Sequence, residues 1–285
     1  VASSALLDQL TLGDHVCWIV DDEASRLDMV AGAVDAGLRE RDRVLYCGDD
    51  PADALSGIER RGVRTFDALA SGSLRASTTE ASYLTAGAFD PAAAVRFLRE
   101  EQDRARHDGY PGLRVIADMA WASRPVPGAE HLPRHEARIN ALFTEGYLLG
   151  ICAYDRRLFD PLWLRRLSWA HPAAAGTRVP FDAASALRMR RTRDPYGLRL
   201  AGEADRFNRQ ALSAVIESLL DDLPDDDTLV KIDVSELRFA DTAAARILIH
   251  AADRAAGRFR LVGHSQTLIR LLEFHGARRV PDLTA

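Results

Sequence analysis

The sequence predicts an α/β protein of two units, the first a mainly parallel sheet with helices on both faces and the second a smaller α/β domain. Two observations carry this. Short β-favouring runs alternate with stretches whose apolar residues recur at helical spacing, which implies parallel strands joined by helical crossovers. A segment rich in Pro, Ala and Gly, from Ala170 to Phe181, interrupts the alternation and marks a boundary. The expected units are residues 1–178 and 185–285.

In the first unit, His15-Val-Cys-Trp-Ile-Val20 reads as a strand, Leu27, Val30, Val34 and Leu38 as the buried face of a helix, and Arg43-Val-Leu-Tyr-Cys-Gly48 as a second strand. Helices follow from Ala52 to Arg61, from Pro91 to Ala105 and around His135 to Phe143; strands follow from Leu113 to Met119 and from Leu148 to Ala153. In the second unit, Ala186 to Thr192 and Leu198 to Ala201 flank Asp194-Pro-Tyr-Gly197, whose Pro and Gly predict a hairpin. A helix is expected from about Phe207 to Leu220, then a solvated acidic turn, a buried strand within Thr228 to Ser235, and a loop entering an apolar helix at Asp241-Thr242. Phe259 to Gly263 supplies another strand, and Thr267 to Phe274 a short amphipathic helix stopped by Gly276.

Composition narrows the function. With 47% hydrophobic and 28% charged residues the chain reads as an ordinary soluble globular protein. A net charge of −5 argues against a nucleic-acid surface, and no helix-turn-helix or zinc-finger spacing occurs. No basic leader precedes an apolar core and no apolar run is long enough to span a bilayer, so a cytoplasmic location without membrane contact is expected. Cys17, Cys47 and Cys152 are too few and too far apart for a disulfide framework. No Ser/His/Asp order or carboxylate pairing points to catalysis, so no enzyme, catalytic residue or cofactor is expected.

His15 and Cys17 lie two apart on a strand and face one side of the sheet. They begin either a metal or a ligand site, with Cys152 and His171 as further members. Lacking close CxxC or HxxxH spacing, the sequence does not favour a metal. A ligand pocket at the carboxyl ends of the strands is expected instead, near Cys47, Asp118, Trp121 and Cys152, with Glu136, Asn140 and Tyr154 contributing to its lining. The plainer alternatives stay open: buried core cysteines, a Trp121 that only packs, a solvated Glu136, and an Asp155 held by a neighbouring arginine. A rival reading makes the first unit a redox or metal sensor, or an enzyme, using His15, Cys17 and Cys152.

Three resemblances add to this. The first strand, loop and helix resemble RecA-like ATPases, but Val20 to Asp28 has no glycine and no phosphate-binding lysine, and Asp21, Asp22 and Glu23 would repel a triphosphate, so ATP hydrolysis is not expected. Gly13-Asp-His15-Val-Cys17, Ile116-Ala-Asp-Met-Ala-Trp121, His135-Glu-Ala-Arg-Ile-Asn140, Cys152-Ala-Tyr-Asp155, Phe159 and His171-Pro172 together resemble the MEDS domain, which implies a non-enzymatic sensor of small organic ligands.

From Leu187 onward the chain resembles the STAS domain of anti-sigma-factor antagonists: Gly202-Glu-Ala-Asp205, the hydrophobic strand, and Asp241-Thr242 before an apolar helix. The resemblance implies Thr242 as phosphoacceptor, and Asp205, Asp241 and Thr242 at a surface that binds an anti-sigma factor of the histidine-kinase-like ATPase type. Ala243 and Ala244 stand where that family has Ser/Thr and Gly, which removes the close backbone approach that Gly allows. The implied partners are that kinase and an unidentified small ligand, with homodimerisation open.

Overall fold

The protein, described here from a computed structural model, is covered over residues 7–178 and 181–276; residues 179–180 of the expected connector and 277–285 of the expected second unit lie outside that range. In chain order the first domain contains β1 (His15–Val20), α1 (Glu23–Arg39), β2 (Arg43–Gly48), α2 (Pro51–Glu59), α3 (Thr65–Ser71), β3 (Leu74–Thr78) and the single turn α4 (Thr79–Ser82). It continues with the two-residue strands β4 (Leu84–Thr85) and β5 (Ala88–Phe89), then α5 (Pro91–His107), β6 (Leu113–Asp118), α6 (Leu132–Phe143), β7 (Leu148–Asp155), α7 (Pro161–Ser168) and β8 (Ala173–Gly176).

Asp-Pro pairs set three of the helix starts. Asp50, Asp90 and Asp160 each cap the free N–H groups of α2, α5 and α7, while Pro51, Pro91 and Pro161 occupy the first turn, where a missing N–H costs nothing. Six strands form an all-parallel sheet in the order β3-β2-β6-β7-β1-β8. Alternate residues feed two cores: Val16, Trp18, Tyr46, Ile116 and Ile151 pack with α1 and α2 on one face, and Cys17, Leu45, Cys47, Ala117, Cys152 and Tyr154 pack on the other with residues of α5, α6 and α7. Burial on both faces explains the near-continuous apolar strands.

The expected connector contains β8, an edge strand invisible to composition because Ala and Gly are poor strand formers. Pairing with β1 holds it there, Val16 opposite Ala173 and Ile19 opposite Gly176. A Cβ on Gly176 would sit 2.2 Å from the Ile19 carbonyl oxygen, so only glycine permits this approach.

The second domain runs β9 (Arg188–Arg193), β10 (Tyr196–Ala204), α8 (Arg209–Asp221), β11 (Val230–Ala240), α9 (Thr242–Arg254), β12 (Phe259–Val262) and α10 (Gln266–Phe274). Its sheet is mixed, in the order β12-β11-β10-β9, with the expected hairpin β9–β10 as its antiparallel pair. One expectation is corrected: β11 does not end near Ser235 but continues to Ala240, so α9 leaves a strand and not a loop. Val230, Ile232 and Val234 alternate inward, but beyond them the register with β10 shifts twice and the residues lie exposed or half-buried, which erases the pattern that would have revealed a strand.

The two domains share a packed junction in which α6 lies along α8. Arg188 forks onto the buried Asp14 carboxylate at 2.9 and 3.0 Å, and the Arg191 amide donates to the Thr144 carbonyl at 2.9 Å.

Candidate functional site

His15 opens β1, Cys152 and Tyr154 point the same way from β7, α6 brings Glu136 and Asn140 across them, and the turn after α7 returns His171 to the same point. Helical spacing explains the α6 contribution, since Glu136, Asn140 and Phe143 recur on the face turned to the sheet and are all buried. His15, Glu136, Cys152 and His171 are each fully or nearly fully buried, and one ligand-type atom from each lies within 4.8 Å of the others.

Glu136 is the centre. Its Oε2 lies 3.4 Å from His15 Nε2, 3.4 Å from His171 Nε2 and 3.8 Å from Cys152 Sγ, while its Oε1 accepts from the Tyr154 hydroxyl at 2.9 Å. His15 Nε2 is also 3.4 Å from Cys152 Sγ, and its ring stacks on Phe143 with centroids 4.4 Å apart. Burial pushes the Glu136 carboxyl up, but His171 and His15 outweigh it and hold it down to about 2. Burial and then the neighbouring His15 bring the His171 imidazole down to about 4, against the pull of Glu136. The carboxylate is therefore ionised and the His171 ring neutral near pH 7. Burial raises the Cys152 thiol well above its ordinary range, and Glu136 raises it further.

Beside the cluster, between the sheet and α5 and α6, lies a cavity of about 40 Å³ lined by His15, Cys47, Glu136, Cys152 and largely apolar neighbours including Phe97 and Ile139. His15, Cys47, Glu136, Asn140, Cys152 and Tyr154, all expected at a ligand site, thus meet in the cluster or at its cavity. Three others do not. Cys17 faces the same side but packs in the core with Trp121 and Leu167. Asp118 receives Arg26 at 2.7 Å and caps the Ala120 amide at 3.1 Å. Trp121 is fully buried against Tyr83 and Phe89 and is not a cavity wall. The cavity sits under the sheet's face rather than at its carboxyl edge, where Asp118 at the end of β6 is engaged by Arg26 and the Ala120 amide. Sequence reasoning left His171 at the margin of the site; its only signal was a His-Pro pair in an apparent linker.

The loop after β1 has no phosphate cradle. Asp22 takes the Ser25 amide at 2.7 Å, and Asp21 pairs with Arg156 at 3.0 Å. Asp155 is held by Arg157 through contacts of 2.6 to 3.2 Å, the plainer of the two readings its sequence allowed.

On the second domain, Asp241 caps α9 by accepting from Ala243 and Ala244 amides at 2.8 and 3.0 Å, and Thr242 is exposed in the first turn. At the neighbouring strand end Asp205 accepts from the Phe207 amide at 2.8 Å. Asp205, Asp241 and Thr242 share one edge because β10 and β11 run parallel, with the Asp241 amide donating to the Ala204 carbonyl at 3.0 Å.

The parallel sheet covers a buried polar cluster, and the small mixed sheet that follows presents an exposed helix start. The chain belongs to the MEDS family (MEthanogen/methylotroph, DcmR Sensory domain), which matches residues 14–172, and its residues 187–283 match the Mlab, STAS domain. It is a signalling protein of the sensor-plus-STAS type. Among solved structures it is similar to the flagellar accessory protein FlaH from Methanocaldococcus jannaschii, at 13% identity and a TM-score of 0.39 over 59% of this chain and 72% of that one. The comparison with curated proteins returns no match. Among the described residues no helix is long and apolar enough to cross a membrane.

Proposed function

We propose that the first domain senses a small organic molecule without transforming it, and that the STAS domain relays this state by binding an anti-sigma factor of the histidine-kinase-like ATPase type. The observation that carries the reading is the cavity of about 40 Å³, whose lining combines polar groups such as His15, Ser82 and Glu136 with mainly apolar side chains. A water needs roughly 10–15 Å³ measured this way, so this space suits a molecule of about three heavy atoms. The cluster beside it leads to the junction: His171 precedes Pro172, whose carbonyl accepts from Asn208 at 3.4 Å, and Asn208 Oδ1 accepts from the Asp205 amide at 3.0 Å. A change at the cluster thus has a short physical route to the partner-binding edge.

In this reading Thr242 is the residue on which the kinase acts. A phosphate there would stand beside the Asp241 carboxylate on an exposed helix start, adding about −1.5 to −2 charges to the surface the partner meets. Ligand-observed NMR of the full chain with short alcohols, amines and halocarbons tests the sensor. Saturable binding that is lost when Ile139→Trp fills the cavity supports it; no binding by any of these compounds refutes it.

A further inference from the structure

We propose that His15, Glu136, Cys152 and His171 form a binding site for one zinc-class divalent metal ion. The inference holds whether or not the cavity takes an organic ligand.

The hydrogen bonds around the cluster decide which way each donor atom points. Asn140 Nδ2 donates to the Glu136, Ala137 and Ala170 carbonyls at 2.8, 2.9 and 2.9 Å, so its Oδ1 must face His15 and accept from His15 Nδ1–H at 2.9 Å. His171 Nδ1 lies 2.9 Å from the Leu167 carbonyl, which only accepts, so this nitrogen also carries its proton. Each ring therefore turns its Nε2 toward the same carboxylate oxygen, Glu136 Oε2, at 3.4 Å each. His171 Nε2 is buried and makes no hydrogen bond among the described residues. Two imidazole Nε2 atoms, a carboxylate oxygen and a sulfur converge on one point. One cation satisfies all four.

Four of the six separations between the ligand atoms are close to those of a tetrahedral site, and all six lie within 4.8 Å. Bonds of roughly 2.0–2.1 Å to nitrogen, 2.0–2.2 Å to oxygen and 2.3 Å to sulfur put neighbouring ligand atoms about 3.3–3.6 Å apart. The observed separations are 3.4 Å for both histidines to Glu136, 3.4 Å for His15 to Cys152 and 3.8 Å for Cys152 to Glu136. The charges also close. A divalent ion displaces the Cys152 thiol proton to solvent and binds the resulting thiolate and the Glu136 carboxylate, leaving a neutral centre in a buried site. The supporting bonds are those of a built site: each histidine is oriented through its other nitrogen, and Tyr154 holds Glu136 by its second oxygen at 2.9 Å. Nitrogen, sulfur and carboxylate in this geometry favour zinc over magnesium or calcium.

The test is cobalt substitution of the full-length chain after removal of metal with a chelator. The expected result is one Co(II) per chain, with the intense visible bands of tetrahedral cobalt and a thiolate charge-transfer band, displaced by one equivalent of Zn(II). Cys152→Ser abolishes the charge-transfer band, and His171→Ala weakens binding at least a hundredfold. Tyr154→Phe keeps the spectrum with binding weaker by about 10–100-fold, as for a lost supporting bond. Wild-type protein that is folded by circular dichroism yet gives no tetrahedral thiolate spectrum overturns the proposal, and so does a spectrum that survives both Cys152→Ser and His171→Ala.

Discussion

The Asn208 side-chain amide donates to the Pro172 carbonyl at 3.4 Å, which ties the start of the first STAS helix to the residue that follows His171. Asn208 also donates to the Glu203 carbonyl at 2.8 Å and accepts from the Asp205 amide at 3.0 Å, so one side chain fastens the loop carrying Asp205 to the sensor domain. Replacing it with Ala leaves these mostly buried backbone groups unpaired, and a loss of about 1–3 kcal/mol is expected. Urea unfolding of the full chain measures it; a midpoint unchanged from wild type would show that the junction bond carries no weight.

Trp121→Ala should cost stability rather than ligand affinity. Its ring is fully buried against Tyr83 and Phe89 and does not reach the cavity, so truncation removes about 3–5 kcal/mol. Thermal denaturation checks this, and a Trp121→Ala protein as stable as wild type would contradict the packing described.

The three thiols should be inert in the native protein. Burial raises Cys17, pushes Cys47 up to about 12 and raises Cys152 well above its ordinary range, which suppresses the reactive thiolate. Alkylation near pH 8 should be slow at all three until denaturant is added. Rapid labelling of Cys17 or Cys152 in the folded chain would favour the redox reading instead.

Acid should destabilise the metal-free chain in two overlapping stages. His171 falls from 6.5 to about 4 on folding, so its contribution is present above 6.5 and is lost as pH drops towards 4, while the unfolded ring takes its proton first. Glu136 falls from 4.5 to about 2, so its contribution is present above 4.5 and is lost as pH drops towards 2. Both act in the same direction. Urea midpoints of chelator-treated protein should decline between pH 7 and pH 2, and Glu136→Gln should flatten the part of that decline below pH 4.5.

Much of this architecture was legible in the residues. His15 to Val20, Arg43 to Gly48 and Leu148 to Ala153 announce themselves because burial on both faces demands continuous apolar runs. β8 did not, since Ala173-Ala-Ala-Gly176 has no strand preference and exists through pairing with β1. The outer half of β11 did not, since a shifted register leaves Glu236 to Ala240 without alternation. The site was half visible: His15, Cys152 and Glu136 were singled out by type. Their convergence with His171 is a tertiary fact, made by a turn after α7 and a helix crossing the sheet, and no short spacing encodes it.

The central claim is that the STAS edge at Asp241 and Thr242 meets a kinase-like anti-sigma factor and is released by negative charge at Thr242. Quantitative affinity capture from the native cell extract, comparing wild type with Thr242→Glu, tests it most directly. The account predicts that a histidine-kinase-like ATPase is enriched by wild type and markedly depleted with Thr242→Glu, whose unfolding midpoint stays near wild type because the helix start tolerates an added carboxylate to within about 1 kcal/mol. Equal recovery of that ATPase by both proteins, or its absence from both, would contradict the account.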